Sequence, residues 1–121
     1  DAQYVAALVA NAGAALDAAT RDQLVAALAE GRLTRADVLR AVADDAGVKR
    51  AETNKAFVLM QYFGYLRRDP DAPDFRGVPD PNLDGWRFWL SKLEEYGGNY
   101  ERAEMVRAFL LSIEYRQRFG Q

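Results

Sequence analysis

The chain has 121 residues, half of them hydrophobic, and its 16 basic and 18 acidic residues leave a net charge of −2. That balance argues against a general affinity for nucleic acid or anionic membranes. It has no cysteine and no histidine, which excludes disulfides, zinc sites built from those ligands, and Ser-His or Cys-His nucleophile pairs. The length suits one domain, which we predict over residues 1–121.

The first part of the chain predicts three helices, at residues 2–16, 18–30 and 35–44. Asp17 is a suitable N-cap for the second helix, and Gly31 suits the left-handed position after its end. Thr34 and Asp37 have the spacing of a capping box at the start of the third. We expect a turn at residues 46–48 before the next helix.

The stretch at residues 54–68 is apolar on almost every side at helical spacing, because only Gln61 and Gly64 interrupt the run from Phe57 to Leu66. A helix without a polar face has to be surrounded. Since about 20 apolar residues are needed to span a bilayer, this run is too short for membrane insertion. We therefore predict a buried central helix with the rest of the chain packed around it.

All four prolines and five aspartates fall within residues 69–84. Proline lacks the amide donor that helices and strands need, so this segment predicts a long loop. Helices should resume at residues 84–96 and 99–113, followed by a short tail at residues 114–121.

The two halves show an internal similarity. With a shift of 67 residues, Arg35-Ala36 aligns with Arg102-Ala103, and Arg40-Ala41 aligns with Arg107-Ala108. The first two helices need shifts of 53 and 65, so residues 69–84 would be an insertion in the second copy. We predict an all-α fold of about six helices in two tandem three-helix repeats, a degenerate one at 1–50 and a second at 51–121. Chance matching of alanine-rich helices is the competing interpretation.

Five stretches of the second half carry a family likeness: NKAFV (54–58), QYFGYLRRDP (61–70), DGWRFWL (84–90), AEMVRAF (103–109) and EYRQRFG (114–120). They resemble the bacterial family known as domain of unknown function 4214, and residues 33–40 resemble its last-helix motif in a first copy. The resemblance implies a helical module of a larger secreted or surface-attached bacterial protein, near repeat or calcium-binding segments. It implies no catalytic residues.

Asp80, Asn82, Asp84 and Gly85 match the first half of a calcium-binding loop. Calcium favours oxygen ligands from alternate residues of a tight turn. The second half of the signature fails, because Ser91 stands where the bidentate Glu belongs. Two interpretations remain open. One is a calcium site at the first three residues. The other, which we favour, is a helix cap at Asp84 with turns at Asp80 and Asn82.

The candidate ligand-binding residues are Arg68, Asp71, Asp74 and Trp86. Arginine beside carboxylates suits an anion or sugar contact. It also suits an ion-pair latch between the central helix and the loop, which we favour. Trp86 shares a helical face with Leu90, which favours the core, although its place beside the loop would suit stacking on a sugar or peptide.

Residues 38–57 have the order of a helix-turn-helix motif, which gives a DNA-binding interpretation. Asp44 and Asp45 precede the turn, and the following helix is apolar. DNA binding needs clustered cations on the docking face, so we do not favour this interpretation.

We predict a non-catalytic interaction or structural module of a larger secreted or cell-surface bacterial protein, whose neighbouring domains are its partners. The alternative is a glycan- or peptide-binding domain that uses the loop at residues 69–84 and Trp86. Calcium is the only cofactor we consider, and we predict no nucleic-acid partner. The chain begins at Asp1 without an initiator methionine or a leader, as expected of a mature product or a fragment of something longer.

Overall fold

The computed structural model describes residues 2–13 and 15–120, and within them the chain forms seven α-helices, one π-helical turn and no strand. The helices are α1 (Ala2–Asn11), α2 (Ala18–Ala29), α3 (Arg35–Asp44), α4 (Ala46–Gln61), α5 (Asp84–Glu95), α6 (Met105–Leu110) and α7 (Ile113–Phe119). The π-helical turn, Tyr62–Leu66, continues directly from α4. The all-α prediction is confirmed.

The chain divides into two compact units, Asp1–Glu52 (unit 1) and Thr53–Gln121 (unit 2). We expected one core shared by the whole chain. The buried apolar side chains instead form two clusters, one in each unit. That of unit 1 includes Val5, Leu24, Leu28, Val38, Val42 and Val48, and that of unit 2 includes Val58, Tyr62, Leu66, Leu93, Met105 and Phe109. The single-domain and repeat organisation stay predictions.

The prediction of a central helix buried on all sides is wrong. Val58 and Tyr62 are buried on one face of this segment, whereas Met60 is 62% exposed and Phe63 is 42% exposed. The physical reason is that too few residues are available to cover the segment, because α6 and α7 have only six and seven residues. These helices pack against one face of the segment, and apolar side chains on its other faces are exposed to solvent.

Local capping signals are confirmed in unit 1. The carboxylate of Asp17 accepts the Thr20 N–H at 2.9 Å, and Thr34 with Asp37 forms the capping box that opens α3. The expected turn at residues 46–48 is instead the first turn of α4, because the Asp45 carboxylate accepts the Val48 N–H at 3.0 Å. The first helix, expected at residues 2–16, ends at Asn11. Asp1, Ala14 and Gln121 lie outside the described residues.

The end of the chain also differs from expectation. Glu104 adopts a left-handed conformation with φ of 52°, which confines α6 to Met105–Leu110 within the helix expected at residues 99–113. The expected tail at residues 114–121 is largely the helix α7, because the Ser112 hydroxyl accepts the Tyr115 N–H at 3.1 Å as an N-cap. Residues 69–83 form neither helix nor strand, as their prolines predicted. Every described helix is too short or too polar to cross a bilayer.

Candidate functional site

The loop between the π-helical turn and α5 is held by Arg68. Its Nε and Nη2 donate to the two carboxylate oxygens of Glu114 at 2.6 and 3.0 Å. Its Nη1 donates to the carbonyls of Asp69, Pro70 and Ala72 at 3.1, 3.4 and 3.2 Å. The Arg68 and Glu114 side chains are only 13% and 8% exposed. One guanidinium therefore ties the start of the loop to helix α7 in unit 2.

We favoured an ion-pair latch between the central helix and the loop, but the ion pair of Arg68 is with Glu114 on α7, and the loop is held only through its carbonyls. Arg68 pairs with Glu114, whereas Asp69 offers only its carbonyl and Asp71 is exposed on the loop. The hydrogen bonds that Arg68 donates to Glu114 raise the pKa of Arg68 above its ordinary value. We did not identify Glu114 from the sequence. The available signal is that Glu114 is the one charged residue in the run LLSIEY, since a carboxylate buried there would need a cationic partner.

A second tie closes the middle of the loop around Asp74. One carboxylate oxygen accepts the N–H groups of Arg76 and Val78 at 2.8 and 3.1 Å, and the other accepts the Arg76 guanidinium at 2.9 and 2.7 Å. The hydrogen bond to Arg76 lowers the pKa of Asp74. Gly77, with φ of 78°, supplies the left-handed residue of this turn. Asp74 is therefore already bonded within the loop.

The third tie is Asp80, whose two carboxylate oxygens accept the N–H groups of Asp84 and Gly85 at 3.0 and 2.9 Å. These backbone hydrogen bonds lower the pKa of Asp80. The prediction that Asp84 caps the helix is therefore wrong, since Asp84 is the first residue of α5 and Asp80 serves the cap. Leu83, in a left-handed conformation with φ of 58°, turns the chain so that Asp80 reaches these amides.

The calcium interpretation of Asp80, Asn82 and Asp84 stays a prediction. Helix α5 begins at Asp84, so Ser91 and the other later positions of the calcium signature lie in a helix rather than around a loop. Within residues 2–13 and 15–120, no three His, Cys, Asp or Glu side chains are grouped so that they could hold a metal ion. Asn82 is exposed.

The three ties border a cleft of about 320 Å³ between the loop and the start of α5. Its lining residues are Tyr62, Arg68, Pro70, Asp74, Arg76, Val78, Pro79, Asp80, Asp84 and Gly85. Tyr62 is only 5% exposed, and burial raises the pKa of its phenol. The structure therefore gathers Arg68 and Asp74 with Asp80 and Asp84. We call this feature the loop cleft.

Trp86 belongs mainly to the core of unit 2. It is partly buried against the cluster that contains Leu93 and Met105. Its Nε1 is buried and has no hydrogen-bond partner among the described residues. A stacking platform would need an exposed ring, so the geometry of Trp86 agrees better with the core interpretation.

A second candidate surface lies on α5, on α6 and on the residues next to α6. Phe88 is 59% exposed and Leu111 is 51% exposed, and Leu110 is also exposed. Two grooves of about 630 and 340 Å³ adjoin there, and both are lined by Glu104, Arg107 and Leu111. We call this feature the Leu111 surface. It comprises the apolar residues Phe88, Val106, Leu110 and Leu111 and the rim residues Lys92, Glu101, Glu104 and Arg107.

The sequence interpretation missed the Leu111 surface because it placed the candidate binding surface on residues 69–84 and Trp86. A signal was present in α5. Trp86, Trp89 and Leu93 follow helical spacing on one face, whereas Phe88 falls about 200° around the helix from Trp86. An aromatic side chain off the core face predicts exposure.

No family model, curated protein or solved structure matches this chain.

Proposed function

We propose that this chain is a non-catalytic association module of a larger protein, and that unit 2 joins two copies through the Leu111 surface. The secreted or cell-surface location in bacteria is part of the proposal and has one support, the resemblance of residues 54–120 to the domain of unknown function 4214.

The observation that carries the proposal is the exposure of large apolar side chains around adjoining grooves. Phe88 and Leu111 each leave half or more of their surface in water. Burial of apolar surface yields about 25 cal/mol per Å², so an unburied group of this size is a source of binding energy. Contiguous exposed apolar groups with a polar rim are typical of protein interfaces.

The rim charges favour a second copy as the partner. Glu101 and Glu104 are acidic, whereas Lys92 and Arg107 are basic, so the rim carries both signs in equal number. In a two-fold interface the same patch faces itself, and residues of one sign can pair with those of the other across the axis. Glu104 and Arg107 are each 72% exposed and only 4.0 Å apart, a weak pair that can exchange partners.

The state of the ionisable groups supports a non-catalytic role. Three carboxylates at or beside the loop are held in fixed interactions: Glu114 in an ion pair with Arg68, Asp74 in a turn, and Asp80 in a helix cap. A general acid or base needs a group free to exchange a proton with substrate near neutral pH. The lowered pKa values of Asp74 and Asp80 keep both carboxylates ionised there.

Sedimentation velocity over a series of protein concentrations tests the proposal. We expect the wild type to shift from monomer to dimer with concentration, and Leu111→Glu or Phe88→Glu to remain monomeric. Leu39→Glu is the matched control, because Leu39 on α3 of unit 1 is 49% exposed, close to the 51% of Leu111. A monomeric wild type at every concentration, or dimers that survive Leu111→Glu, would contradict the proposal.

Glycan or peptide binding at residues 69–84 is the second candidate function. The observation that favours it is the loop cleft, whose walls are fixed by three separate ties. Ties of this kind hold a binding loop in place before its ligand arrives, which lowers the entropic cost of binding. Trp86 contributes less than expected, because it is packed against the core.

A further inference from the structure

We propose that the chain cleaves its own backbone at one point of the loop, the peptide bond between Asp69 and Pro70. The reaction is a single turnover within unit 2, so it does not depend on the proposed association. Such a cleavage needs a nucleophile beside the bond, hydrogen-bond donors on the carbonyl oxygen and a suitable leaving group. Asp69 supplies the nucleophile, Arg68 and Ala72 supply the donors, and Pro70 supplies the leaving group.

The Asp69 carboxylate is available as the nucleophile. Asp69 is exposed, and its side chain makes no hydrogen bond or ion pair with another residue in the part of the chain that the structure describes. A side-chain oxygen of an aspartate reaches the carbonyl carbon of its own residue by closing a five-membered ring. Attack within one residue avoids the entropic cost of bringing two groups together, which is worth an effective concentration of about 10⁵ M or more.

The carbonyl oxygen of Asp69 accepts two hydrogen bonds. Arg68 Nη1 donates to it at 3.1 Å, and the Ala72 N–H donates to it at 3.2 Å. A cation and an amide on one oxygen have the composition of an oxyanion hole, which stabilises the negative charge that develops during attack on a carbonyl. The Arg68 side chain is only 13% exposed and is fixed by Glu114, so this donor is in position before the reaction.

The nitrogen of Pro70 is the leaving group. In the first step a side-chain oxygen of Asp69 bonds to the carbonyl carbon, and the bond from that carbon to the nitrogen breaks. The nitrogen keeps the electron pair and takes a proton from solvent, which gives a secondary amine. The nitrogen of proline carries a third carbon instead of a hydrogen, so it accepts this proton more readily than an ordinary amide nitrogen. Water then opens the cyclic anhydride at residue 69 to two carboxyl groups, so one water is consumed in total.

The loop contains a second bond of the same kind, between Asp80 and Pro81, and the structure protects it. The two carboxylate oxygens of Asp80 accept the N–H groups of Asp84 and Gly85, so attack by this carboxylate would remove the cap of α5. Its carbonyl oxygen accepts the Leu83 N–H at 3.0 Å, and no side-chain cation within residues 2–13 and 15–120 donates to it. We therefore expect cleavage after residue 69 and not after residue 80.

Incubation of the whole chain in mildly acidic buffer, followed by mass spectrometry under denaturing conditions, tests the proposal. We expect fragments 1–69 and 70–121 to form about tenfold faster, or more, than the fragments from cleavage after residue 80. The chain unfolded in urea gives the intrinsic lability of the two bonds, and there both should be cleaved at similar, lower rates. Denaturing conditions are needed because Arg68 in one fragment stays paired with Glu114 in the other.

Three variants separate the roles. Asp69→Ala should abolish cleavage after residue 69, because the nucleophile is gone. Asp71→Asn is the matched control, since Asp71 is an exposed carboxylate of the same loop, and it should leave the rate unchanged. The double variant Arg68→Met/Glu114→Leu removes one donor without leaving a buried charge, and it should slow cleavage by about tenfold or more. Circular dichroism in the same buffer verifies that each variant is folded.

Four outcomes would overturn the proposal. They are equal rates at the two bonds of the folded chain, a rate after residue 69 no higher than in urea, cleavage that survives Asp69→Ala, and an unchanged rate in the folded double variant. If the double variant does not fold, the comparison of the two bonds in folded and unfolded wild type decides by itself, because it needs no substitution.

Discussion

Arg68 and Glu114 form a bidentate ion pair across 46 residues of sequence, with both side chains almost fully buried. The pair joins the end of the π-helical turn to α7. The same guanidinium binds three loop carbonyls, so it fixes the loop and the terminal helix of unit 2 together. This contact helps to shape the loop cleft, because Arg68 lines the cleft and fixes the position of the first residues of the loop.

Removal of one partner of this pair should destabilise unit 2 strongly. We expect Glu114→Ala to lower the free energy of unfolding by about 3 kcal/mol or more, since it leaves a buried guanidinium unpaired. Urea unfolding followed by tryptophan fluorescence measures this directly, because both tryptophans lie in unit 2.

Two controls accompany Glu114→Ala. Glu95→Ala breaks the exposed pair with Lys92, whose atoms are 3.8 Å apart, and should change stability little. The double variant Arg68→Met/Glu114→Leu should cost less than the sum of its single variants, because no charge is left buried. A loss for Glu114→Ala no larger than that for Glu95→Ala would refute a structural role for the buried pair.

Left-handed residues bracket the loop at some cost. Arg67 is exposed and has φ of 55°, a conformation that costs a non-glycine residue about 1–2 kcal/mol. Arg67→Gly should therefore raise the free energy of unfolding of unit 2 by up to about 1 kcal/mol, after the entropic cost of glycine is subtracted. Arg87→Gly is the control, because Arg87 is exposed within the regular helix α5. This variant should lower the free energy of unfolding by about 1 kcal/mol. If both variants changed the free energy of unfolding in the same direction, the strain assigned to Arg67 would be refuted.

The two glycines of unit 2 that lie in helical segments should respond oppositely to alanine. A Cβ on Gly85 would lie 2.7 Å from the Tyr62 hydroxyl, so Gly85→Ala should destabilise unit 2 by about 1–3 kcal/mol through overpacking. A Cβ on Gly64 would meet nothing within 4 Å, so Gly64→Ala should stabilise it by about 0.5–1 kcal/mol. The melting temperatures of the two variants, each compared with that of the wild type, test this prediction. A higher melting temperature for Gly85→Ala would contradict the close packing of Tyr62 against Gly85.

The Asp80 cap predicts a dependence of stability on pH. Its backbone hydrogen bonds lower the pKa of Asp80 in the folded chain below the ordinary value of about 3.9. The unfolded chain therefore binds the proton more readily, so this contribution to stability is complete above about pH 3.9 and is lost as the pH falls through the lower folded pKa.

Comparison of the melting temperatures of wild type and Asp80→Asn at about pH 6 and about pH 3 tests this dependence. The difference between the two proteins should be larger at the higher pH. Asp74 and Asp37 also have lowered pKa values. Because both carboxylates are present in both proteins, their effect on the melting temperature cancels when that of the variant is subtracted from that of the wild type. A difference that is constant across this range, or larger at the lower pH, would contradict the assignment of the cap.

Local signals in the sequence predicted local structure well. Asp17 caps α2, and Thr34 forms its capping box, because each interaction lies within one turn of helix. The proline-rich loop was predicted for the same reason, since proline acts on its own backbone. Long-range contacts were not predictable in this way. Glu114 reaches Arg68 only after the chain has folded, and no spacing rule links residues 46 apart.

Burial was the least predictable property. Phe88 and most residues from Phe57 to Leu66 are apolar in sequence. Whether such side chains reach solvent depends on the helices that are available to cover them. Met60, Phe63 and Phe88 are exposed because the helices of unit 2 are few and short, so they cannot cover every apolar side chain. The same shortage leaves the Leu111 surface open, so the error in the fold prediction and the proposed function have one physical origin.

Residue-resolved amide NMR across a dilution series is the sharpest test of association through the Leu111 surface. We expect the signals of Phe88, Arg107 and Leu111 to shift with concentration in the wild type, the signals of α3 to stay constant, and Leu111→Glu to abolish the shifts. Signals that stay constant throughout the series, or concentration-dependent shifts confined to other residues, would contradict association through this surface.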